Sequence, residues 1–446
     1  MPKLLRDENG RILFTKEMKK DYTILVPDML PIHFNIMKNV LINEGYKIEL
    51  LDNSGQNVKQ MGLKYMHNDI CYPALLVAGQ LIDALNSGKY NVNKTAFMIM
   101  QTGGGCRASN YIHLIRKALV KAGYPNVPII SFNLSGLEKN SGFKLTLPII
   151  RRILAAVIYG DLIMLLSNQV RPYEVKKGET DRMIGKWVKE LSSQFINRRG
   201  YGFSQMKENF DRVIKSFSDI KIKKEIKTKV GIVGEIYVKY ASFANNGLEK
   251  FLADQGCEVM VPGLMGFLMF KVDARVQDFL IYGGSKLKYT AAKTLLGYLE
   301  KIEAAFMEAI DRSKFTQLAS YKDTKPLVEG LIGLGNRMGE GWFLPGEMIE
   351  LVRHGYSNIV CTQPFGCLPT HICGKGMVHK IKSMYPDSNI VPVDYDTGAT
   401  LVNQENRIKL MLSVAREKLP TIKNSVKEGV LENSESNTSI RAVSFS

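Results

Sequence analysis

One order of segments recurs along this 446-residue chain and constrains its fold more than any other feature. A short apolar run is followed by a loop rich in Gly, Pro, Asn or Cys, and then by a segment with helical apolar spacing. The clearest example is TAFMIM at 95–100, then QTGGGCRASN, then YIHLIRKALVKAG, with VPIISF as the next apolar run. Alternation of buried strands with amphipathic helices is typical of parallel sheets covered by helices. The pattern therefore predicts an α/β protein built from doubly wound, flavodoxin-like parallel sheets.

The same order occurs in two parts of the chain, which predicts two domains. Residues 1–165 contain DYTILVPDM, YKIELLD, TAFMIM and VPIISF, and residues 228–418 contain KVGIVGE, CEVMVPG, SNIVCTQP and NIVPVDYD. Between them, residues 166–227 predict a mostly helical linker, and the stretch around 285–330 predicts a helical insertion in the second domain. Residues 419–446 are polar and without periodicity, which predicts a disordered tail. We expect the two domains to face each other across a cleft.

Composition places the chain among ordinary globular proteins and narrows its partners. With 45% apolar and 23% charged residues, it is not a disordered, collagen-like or coiled-coil protein. The opening MPKLLRDENG lacks the apolar run of a secretory signal, and the most apolar stretch, from Leu154, is broken by Asp161. We therefore expect a cytoplasmic protein without a membrane span. The net charge of +17 admits an acidic protein or a polyanionic small molecule, while the scattered basic residues disfavour nucleic acid.

The positions of the cysteines are more informative than their number, which is too small for a disulfide scaffold. Cys106 lies between a predicted strand and its helix, Cys361 is expected to end a strand, and Cys367 lies in the loop that follows. Cys71 precedes a helix that Pro73 could open. A helix amino terminus is expected to lower a thiol pKa and so favour the metal-binding thiolate. Four such thiols could bind zinc, although no short zinc-knuckle spacing is present, or they could bind an iron–sulfur cluster. Alternatively, the cysteines could be small buried side chains without a ligand. Spacing alone leaves these alternatives open.

Five longer segments make the chain recognisable: HNDICYPALLVAGQLIDALNSGKY, QTGGGCRASNYIHLIRKAL, GEGWFLPGEM, CTQPFGCLPTHICGKGM and VDYDTGATLVNQENRIKLML. They resemble the carboxy-terminal region of acyl-CoA dehydratase activase-related proteins, which is itself similar to the subunits of 2-hydroxyacyl-CoA dehydratases. The resemblance covers about residues 20–418. In larger relatives this region follows ATP-hydrolysing activase domains. This chain has no phosphate-loop motif, so we do not expect it to hydrolyse ATP.

The resemblance implies a [4Fe-4S] cluster, since the dehydratases are oxygen-sensitive iron–sulfur enzymes of anaerobes. The cysteines at family positions, and therefore the implied ligands, are Cys71, Cys106, Cys361 and Cys367. Cys257 and Cys373 stand where the family usually has other small or aliphatic residues, so the resemblance does not imply either as a ligand. Cys373 stays open as a loop thiol, because the spacing Cys361-x5-Cys367-x5-Cys373 by itself favours it. Cys257 is then a buried small residue at the start of a strand.

Other residues of these segments are candidates with a structural alternative beside the functional one. Gly103, Gly104 and Gly105 would let the backbone approach a cluster, or would only form a tight turn. Arg107 could neutralise an anionic cluster or bind a CoA phosphate, or be a surface charge. Glu340 could be a general base, contact a partner, or be a solvated loop carboxylate.

The function that the resemblance implies is low-potential electron transfer or reductive chemistry. The electron would come from a separate ATP-hydrolysing activase or another low-potential donor, and an acyl-CoA is a possible substrate. Dehydratases of the wider family remove water from a 2-hydroxyacyl-CoA through a ketyl radical. Four cysteine ligands would fill every iron site and favour electron transfer, whereas three would favour dehydration. The non-enzymatic alternative is a cluster-bearing scaffold that docks an acidic partner.

Overall fold

A computed structural model of the chain describes residues 4–67, 69–101, 105–133, 138 and 140–417. Within them the chain forms two parallel sheets of four strands each, with helices before, between and after the strands. The predicted α/β class is therefore confirmed. The predicted tail at 419–446 lies outside the described residues.

The first sheet is built from the amino-terminal part of the chain, and its strand order is β2-β1-β3-β4. Its elements and the helices that follow are α1 (Met18–Asp21), β1 (Thr23–Pro27), α2 (Pro31–Asn43), β2 (Lys47–Leu51), α3 (Gln56–Tyr65), α4 (Tyr72–Asn86), β3 (Thr95–Met100), α5 (Tyr111–Lys121), β4 (Ile129–Phe132), α6 (Leu147–Val170), α7 (Glu179–Ile196) and α8 (Phe203–Ser218).

The second sheet repeats this arrangement, with strand order β6-β5-β7-β8. Its elements are β5 (Thr228–Gly234), α9 (Ile236–Tyr240), α10 (Leu248–Asp254), β6 (Cys257–Met260), α11 (Leu264–Tyr282), α12 (Lys286–Asp311), α13 (Tyr321–Leu327), α14 (Phe343–Arg353), β7 (Asn358–Pro364), α15 (Leu368–Cys373), α16 (Val378–Met384), β8 (Asn389–Tyr395) and α17 (Leu401–Glu417).

Each of the eight apolar runs identified in the sequence forms a strand. TAFMIM, for example, is β3, and all but its last residue are buried, as expected of a strand covered on both faces. The predicted helical insertion corresponds to α12 and α13. The boundary predicted at residue 165 falls inside α6, which continues to Val170. Among the described helices, none has the length and apolar character needed to cross a bilayer.

Helix α6 joins the two sheets through one buried carboxylate. Asp161 of α6 accepts hydrogen bonds from the backbone N–H groups of Leu264 and Met265, each at 2.8 Å, and so caps the amino terminus of α11. Its Oδ1 also lies 2.8 Å from Nε2 of His33, a fully buried residue of α2. The charge that interrupts the most apolar stretch of the sequence therefore has a structural role.

Helices α3 and α4 cross at two glycines, because a side chain at either would collide with backbone. A Cβ on Gly79 would lie 2.1 Å from the carbonyl oxygen of Val58, and one on Gly62 would lie 2.4 Å from that of Leu75. Gly79→Ala must push the two helices apart, and we expect it to lower the free energy of unfolding by roughly 1–3 kcal/mol in urea denaturation.

Gly185→Ala is the matched control for this prediction. Gly185 lies in α7 with no atom within 4 Å of its would-be Cβ, so alanine should raise stability there by roughly 0.5–1 kcal/mol. Equal effects of the two substitutions would contradict the close crossing of α3 and α4.

Candidate functional site

Cys71 immediately precedes α4 at its N-cap position, as the sequence predicts, and Pro73 lies in the first turn of that helix. The helix is almost wholly buried, and the Cys71 thiol is buried with it. Its Sγ lies 2.8 Å from Oη of Tyr111, at the start of α5. The next residue, Tyr72, donates its backbone N–H to the carbonyl of Phe365 at 3.0 Å. Cys71 is thereby fixed at a contact between the first half of the chain and the loop after β7.

Cys106 lies between β3 and α5, as predicted, and it is partly exposed. The following Arg107 donates to the carbonyl oxygen of Asp69, which ties the Cys106 loop to the Cys71 loop. This contact gives Arg107 a structural role. Gly105 donates its N–H to Sδ of Met338 at 3.1 Å, and a Cβ on Gly105 would lie 2.9 Å from that sulfur. The predicted close approach at Gly105 is therefore made by Met338, while Gly103 and Gly104 lie outside the described residues.

Cys367 caps α15 in the loop after β7, and it too is buried. The preceding Gly366 has φ +72°, and a Cβ there would lie 3.0 Å from Cα of Cys71. The loops that carry Cys71 and Cys367 are therefore in direct contact. Only glycine fits this position, because a side chain would be strained by the positive φ and would also strike Cys71.

The prediction that Cys361 ends its strand is wrong. β7 continues to Pro364, so Cys361 lies in its middle and pairs with Val233 of β5 and Pro392 of β8. The Cys361 thiol is fully buried and accepts a hydrogen bond from Nε2 of Gln363 at 2.9 Å. The structure thus places Cys361 inside the sheet, whereas Cys71, Cys106 and Cys367 belong to loops.

The two remaining cysteines lie in the second half of the chain. Cys257 begins β6 and is fully buried, which confirms its prediction as a small buried residue. Cys373 ends α15 and is also buried. Burial, followed by the charge of Glu340, raises the pKa of the Cys373 thiol to about 11.

Two buried carboxylates share the surroundings of the three loop thiols. Glu235 caps α9 at the end of β5, and its Oε2 accepts the N–H of Val238 at 2.9 Å. Glu340 accepts the N–H of Ile236 on Oε1 at 3.0 Å, while its Oε2 is buried without a hydrogen-bond partner in the described structure. Of the three alternatives for Glu340, the solvated loop carboxylate is therefore excluded by its burial. We call Cys71, Cys106, Cys367, Glu235 and Glu340 the thiol site.

Burial dominates the electrostatics of the thiol site. Loss of solvation raises the pKa of Glu235 to about 8, with the Glu340 carboxylate as the next cause, and it also raises the pKa of Glu340. Burial, together with the Glu340 and Glu235 carboxylates, raises the pKa of the Cys106 thiol to about 11. Burial and the same two carboxylates hold the pKa of Cys367 far above its ordinary range.

The expected lowering of the thiol pKa at helix amino termini is therefore wrong for this site. Cys71 caps a helix, yet burial raises its pKa as well, against the hydrogen bond from Tyr111. A buried neutral thiol becomes a thiolate when a metal cation replaces its proton.

The three sulfurs of the thiol site are soft donors and come from three separate loops. Within the described part of the chain, no three His, Cys, Asp or Glu side chains are close enough together to bind a single metal ion. The loop of Cys71 nevertheless contacts the loop of Cys106 through Arg107 and the loop of Cys367 through Gly366. The wide separation of these cysteines in the sequence is compatible with an iron–sulfur cluster, whose ligands need not be close neighbours in sequence.

Lys239 and Glu347 form a buried ion pair that the sequence analysis did not identify. Nζ of Lys239, on α9, lies 2.9 Å and 3.3 Å from the two carboxylate oxygens of Glu347, on α14. Both charges influence the pKa of Cys361, which burial raises to about 12. The two residues are 108 positions apart in the sequence, and no local pattern links them.

The chain was also compared with known proteins. It matches no protein-family model, and no curated protein is significantly similar to it.

The metal-free Glu235→Gln variant should be more stable than the metal-free wild type at high pH, because the wild type loses stability as the pH rises. The carboxyl has a pKa near 8 in the fold and about 4.5 when unfolded, so the native state holds a proton that the unfolded state has lost. That contribution is complete below pH 4.5 and disappears as the pH rises through 8. Glutamine keeps a cap for α9 without titrating. We expect the free energy of unfolding of Glu235→Gln to be higher than that of the wild type by on the order of 1–3 kcal/mol at pH 8, and nearly equal to it at pH 5.

Urea denaturation between pH 5 and pH 8.5 measures this difference. Glu329→Gln, at an exposed position, is the control and should follow the wild type throughout. A Glu235→Gln protein that is less stable than the wild type at pH 8 would show that the wild-type carboxylate is ionised in the fold.

Proposed function

We propose that this protein is an oxygen-sensitive iron–sulfur protein of the acyl-CoA dehydratase activase-related group. A [4Fe-4S] cluster would be held by Cys71, Cys106 and Cys367. The observation that carries the proposal is that the loops of Cys106 and Cys367 each contact the loop of Cys71, with the buried Glu235 carboxylate acting on all three thiols. Six free cysteines agree with the proposed cytoplasmic location.

We also propose that both halves are doubly wound, flavodoxin-like domains with a cleft between them at the thiol site. In each sheet the first strand of the half lies between the second and the third, in the orders β2-β1-β3-β4 and β6-β5-β7-β8. Ligands of such folds bind beyond the carboxyl ends of the strands. Cys106 follows β3, Glu235 follows β5 and Cys367 follows β7, which supports a ligand site at these ends.

The bound cluster would supply a low-potential electron, and three cysteine ligands would leave one iron free for a substrate. This favours reductive chemistry, including dehydration of a 2-hydroxyacyl-CoA, over electron transfer alone. Within the protein, the buried Oε2 of Glu340 has no hydrogen-bond partner in the described structure and could hold a proton beside the substrate. Tyr111 would orient the Cys71 sulfur through its hydroxyl. Electron transfer remains the second candidate function, and it requires Cys361 as fourth ligand.

Anaerobic reconstitution with iron and sulfide tests the proposal. We expect about four irons and four sulfides per chain, an electron paramagnetic resonance signal on reduction, and loss of both in air. A panel of 2-hydroxyacyl-CoA thioesters, with and without an added activase and ATP, then tests for dehydration. Stoichiometric zinc without iron or sulfide would contradict the cluster. A cluster-loaded protein that converts no thioester but exchanges electrons would favour the second candidate.

A further inference from the structure

The turn between α11 and α12 carries a group of apolar side chains that nothing in the described structure covers. We call residues 280–288 the hairpin tip. Its apolar members, all exposed, are Leu280, Ile281, Tyr282 and Leu287. Tyr282 is 71% exposed and Leu287 is 81% exposed. Several large apolar side chains exposed on one turn are typical of a site where another molecule binds.

The hairpin tip is held in a defined shape. At its base, the rings of Phe279 in α11 and Tyr289 in α12 stack with their centroids 4.5 Å apart. Ser285 caps α12, accepting the N–H of Lys288 on its side chain. The apolar side chains are therefore presented by two packed helices, which limits the conformational entropy that a binding partner must remove.

The charge around the hairpin tip is of one sign. Lys286, Lys288 and Lys293 are exposed, and the sequence has no Asp or Glu between Asp278 and Glu300. Asp278 itself forms an ion pair with Arg337 at 2.5 Å. A second copy of the chain would bring like charges together, on top of a net charge of +17 per copy. The tip complements an acidic surface with an apolar centre.

This surface is continuous with the thiol site. The Arg337 guanidinium lies 5.8 Å from the centre of the Tyr282 ring. The next residue, Met338, is exposed and accepts the N–H of Gly105, the residue before Cys106. A protein seated on the hairpin tip can therefore reach the Cys106 loop across Met338.

We propose that the hairpin tip is the docking surface for an acidic electron-donor protein. The partner's acidic and apolar face contacts Leu287, Tyr282 and the neighbouring lysines, and its redox group faces the Cys106 loop across Met338. One electron leaves the donor and enters the cluster, and no bond is formed or broken. That the docked protein is an electron donor rests on the proposed function, whereas its acidic, apolar character follows from the tip alone.

Electron transfer from purified protein donors tests the proposal. The probes are a reduced dehydratase activase with ATP and a small acidic flavodoxin reduced to its hydroquinone. Both are mixed by stopped flow with the reconstituted wild type and with Leu287→Glu and Lys286→Glu/Lys288→Glu. We expect at least one probe to reduce the wild type in a salt-sensitive reaction, and each variant to be slower by at least about tenfold.

The control variant is Leu410→Glu in α17, where the leucine is 69% exposed, and it should behave as the wild type. Titanium(III) citrate should reduce all four proteins at one rate, because it needs no docking surface. Equal rates with the protein probes for wild type and Leu287→Glu would overturn the proposal. It would also be overturned if neither probe reduced a wild-type cluster that titanium reduces, or if Leu287→Glu dissociated a dimer of this chain in sedimentation.

Failure of the proposed function is seen separately, as a protein that binds no iron or sulfide before any donor is added. The docking surface is then tested by calorimetric binding of the same probes to the iron-free wild type and variants. Binding that Leu287→Glu weakens at least about tenfold would uphold the surface, and absent or unchanged binding would overturn it.

Discussion

A Cys106→Ser protein reconstituted without oxygen will hold its iron and sulfide at least about a hundredfold more weakly than the wild type. Replacing a residue that only supports a metal ligand already lowers metal affinity by about 10–100-fold. Replacing a ligand itself should lower it at least as much, because a serine hydroxyl is a much poorer ligand for iron than a thiolate. Cys71→Ser and Cys367→Ser should behave in the same way. Iron and sulfide analysis after gel filtration measures the loss.

Cys373→Ser is the matched control, since it makes the same change at a buried thiol close to the site, and it should retain the cluster. Full iron content in Cys106→Ser would remove that residue from the proposed ligands. Loss of the cluster in Cys373→Ser would make Cys373 one of its ligands.

Cys361→Ser separates the two proposed functions. Cys361 lies within β7 and its thiol is hydrogen-bonded by Gln363, so with three loop ligands the variant keeps its cluster. The resemblance to the dehydratase group implies four ligands, in which case the variant loses it. A cluster that survives favours an iron open to substrate, and a cluster that is lost favours electron transfer.

Lys239→Met should lower the free energy of unfolding by about 3–5 kcal/mol, because it leaves the Glu347 carboxylate buried without its partner. Lys239 is 3% exposed and Glu347 is 1% exposed, so water cannot replace the lost interaction. Urea denaturation at constant pH measures the effect. Lys250→Met removes an exposed pair with Asp254, at 2.6 Å, and should change stability by less than about 1 kcal/mol.

The double variant Lys239→Met/Glu347→Leu tests the cause of this loss. With both charges removed, no ion is left buried, and most of the stability should return. If the double variant is as unstable as Lys239→Met, the loss of stability comes from the packing of the lysine side chain and not from the unpaired Glu347 charge.

The strands of this protein could be predicted from the sequence because each is a short apolar run between loop-forming residues. The carboxyl end of β7 could not be predicted in this way. Thr362 and Gln363 are polar and therefore suggest a loop after Cys361, yet both are fully buried and β7 pairs with β8 as far as Pro364 and Tyr395. Sheet pairing decides where this strand ends, and pairing partners are not visible in a local pattern.

The thiol site could be predicted only in part. The loop positions of Cys71, Cys106 and Cys367 follow from the order of strands and helices. The burial of Glu340 does not, since GEGWF has the composition of an exposed loop, and its carboxylate is buried only because Ile236 and the surrounding elements enclose it. The thiol pKa values depend on the same burial. Burial raises them by more than the helix amino termini, which are evident from the sequence, lower them.

Asp161 has a consequence for any attempt to divide this protein. Its carboxylate lies on α6, while the N–H groups of Leu264 and Met265 that it accepts belong to the half with the second sheet. A fragment ending near residue 227 would leave that carboxylate with His33 but would remove the two N–H groups of α11 that it accepts. A fragment starting there would begin α11 without its cap. The two sheets have the same strand order, but the halves do not form independent folding units, because a helix of the second half takes its amino-terminal cap from the first.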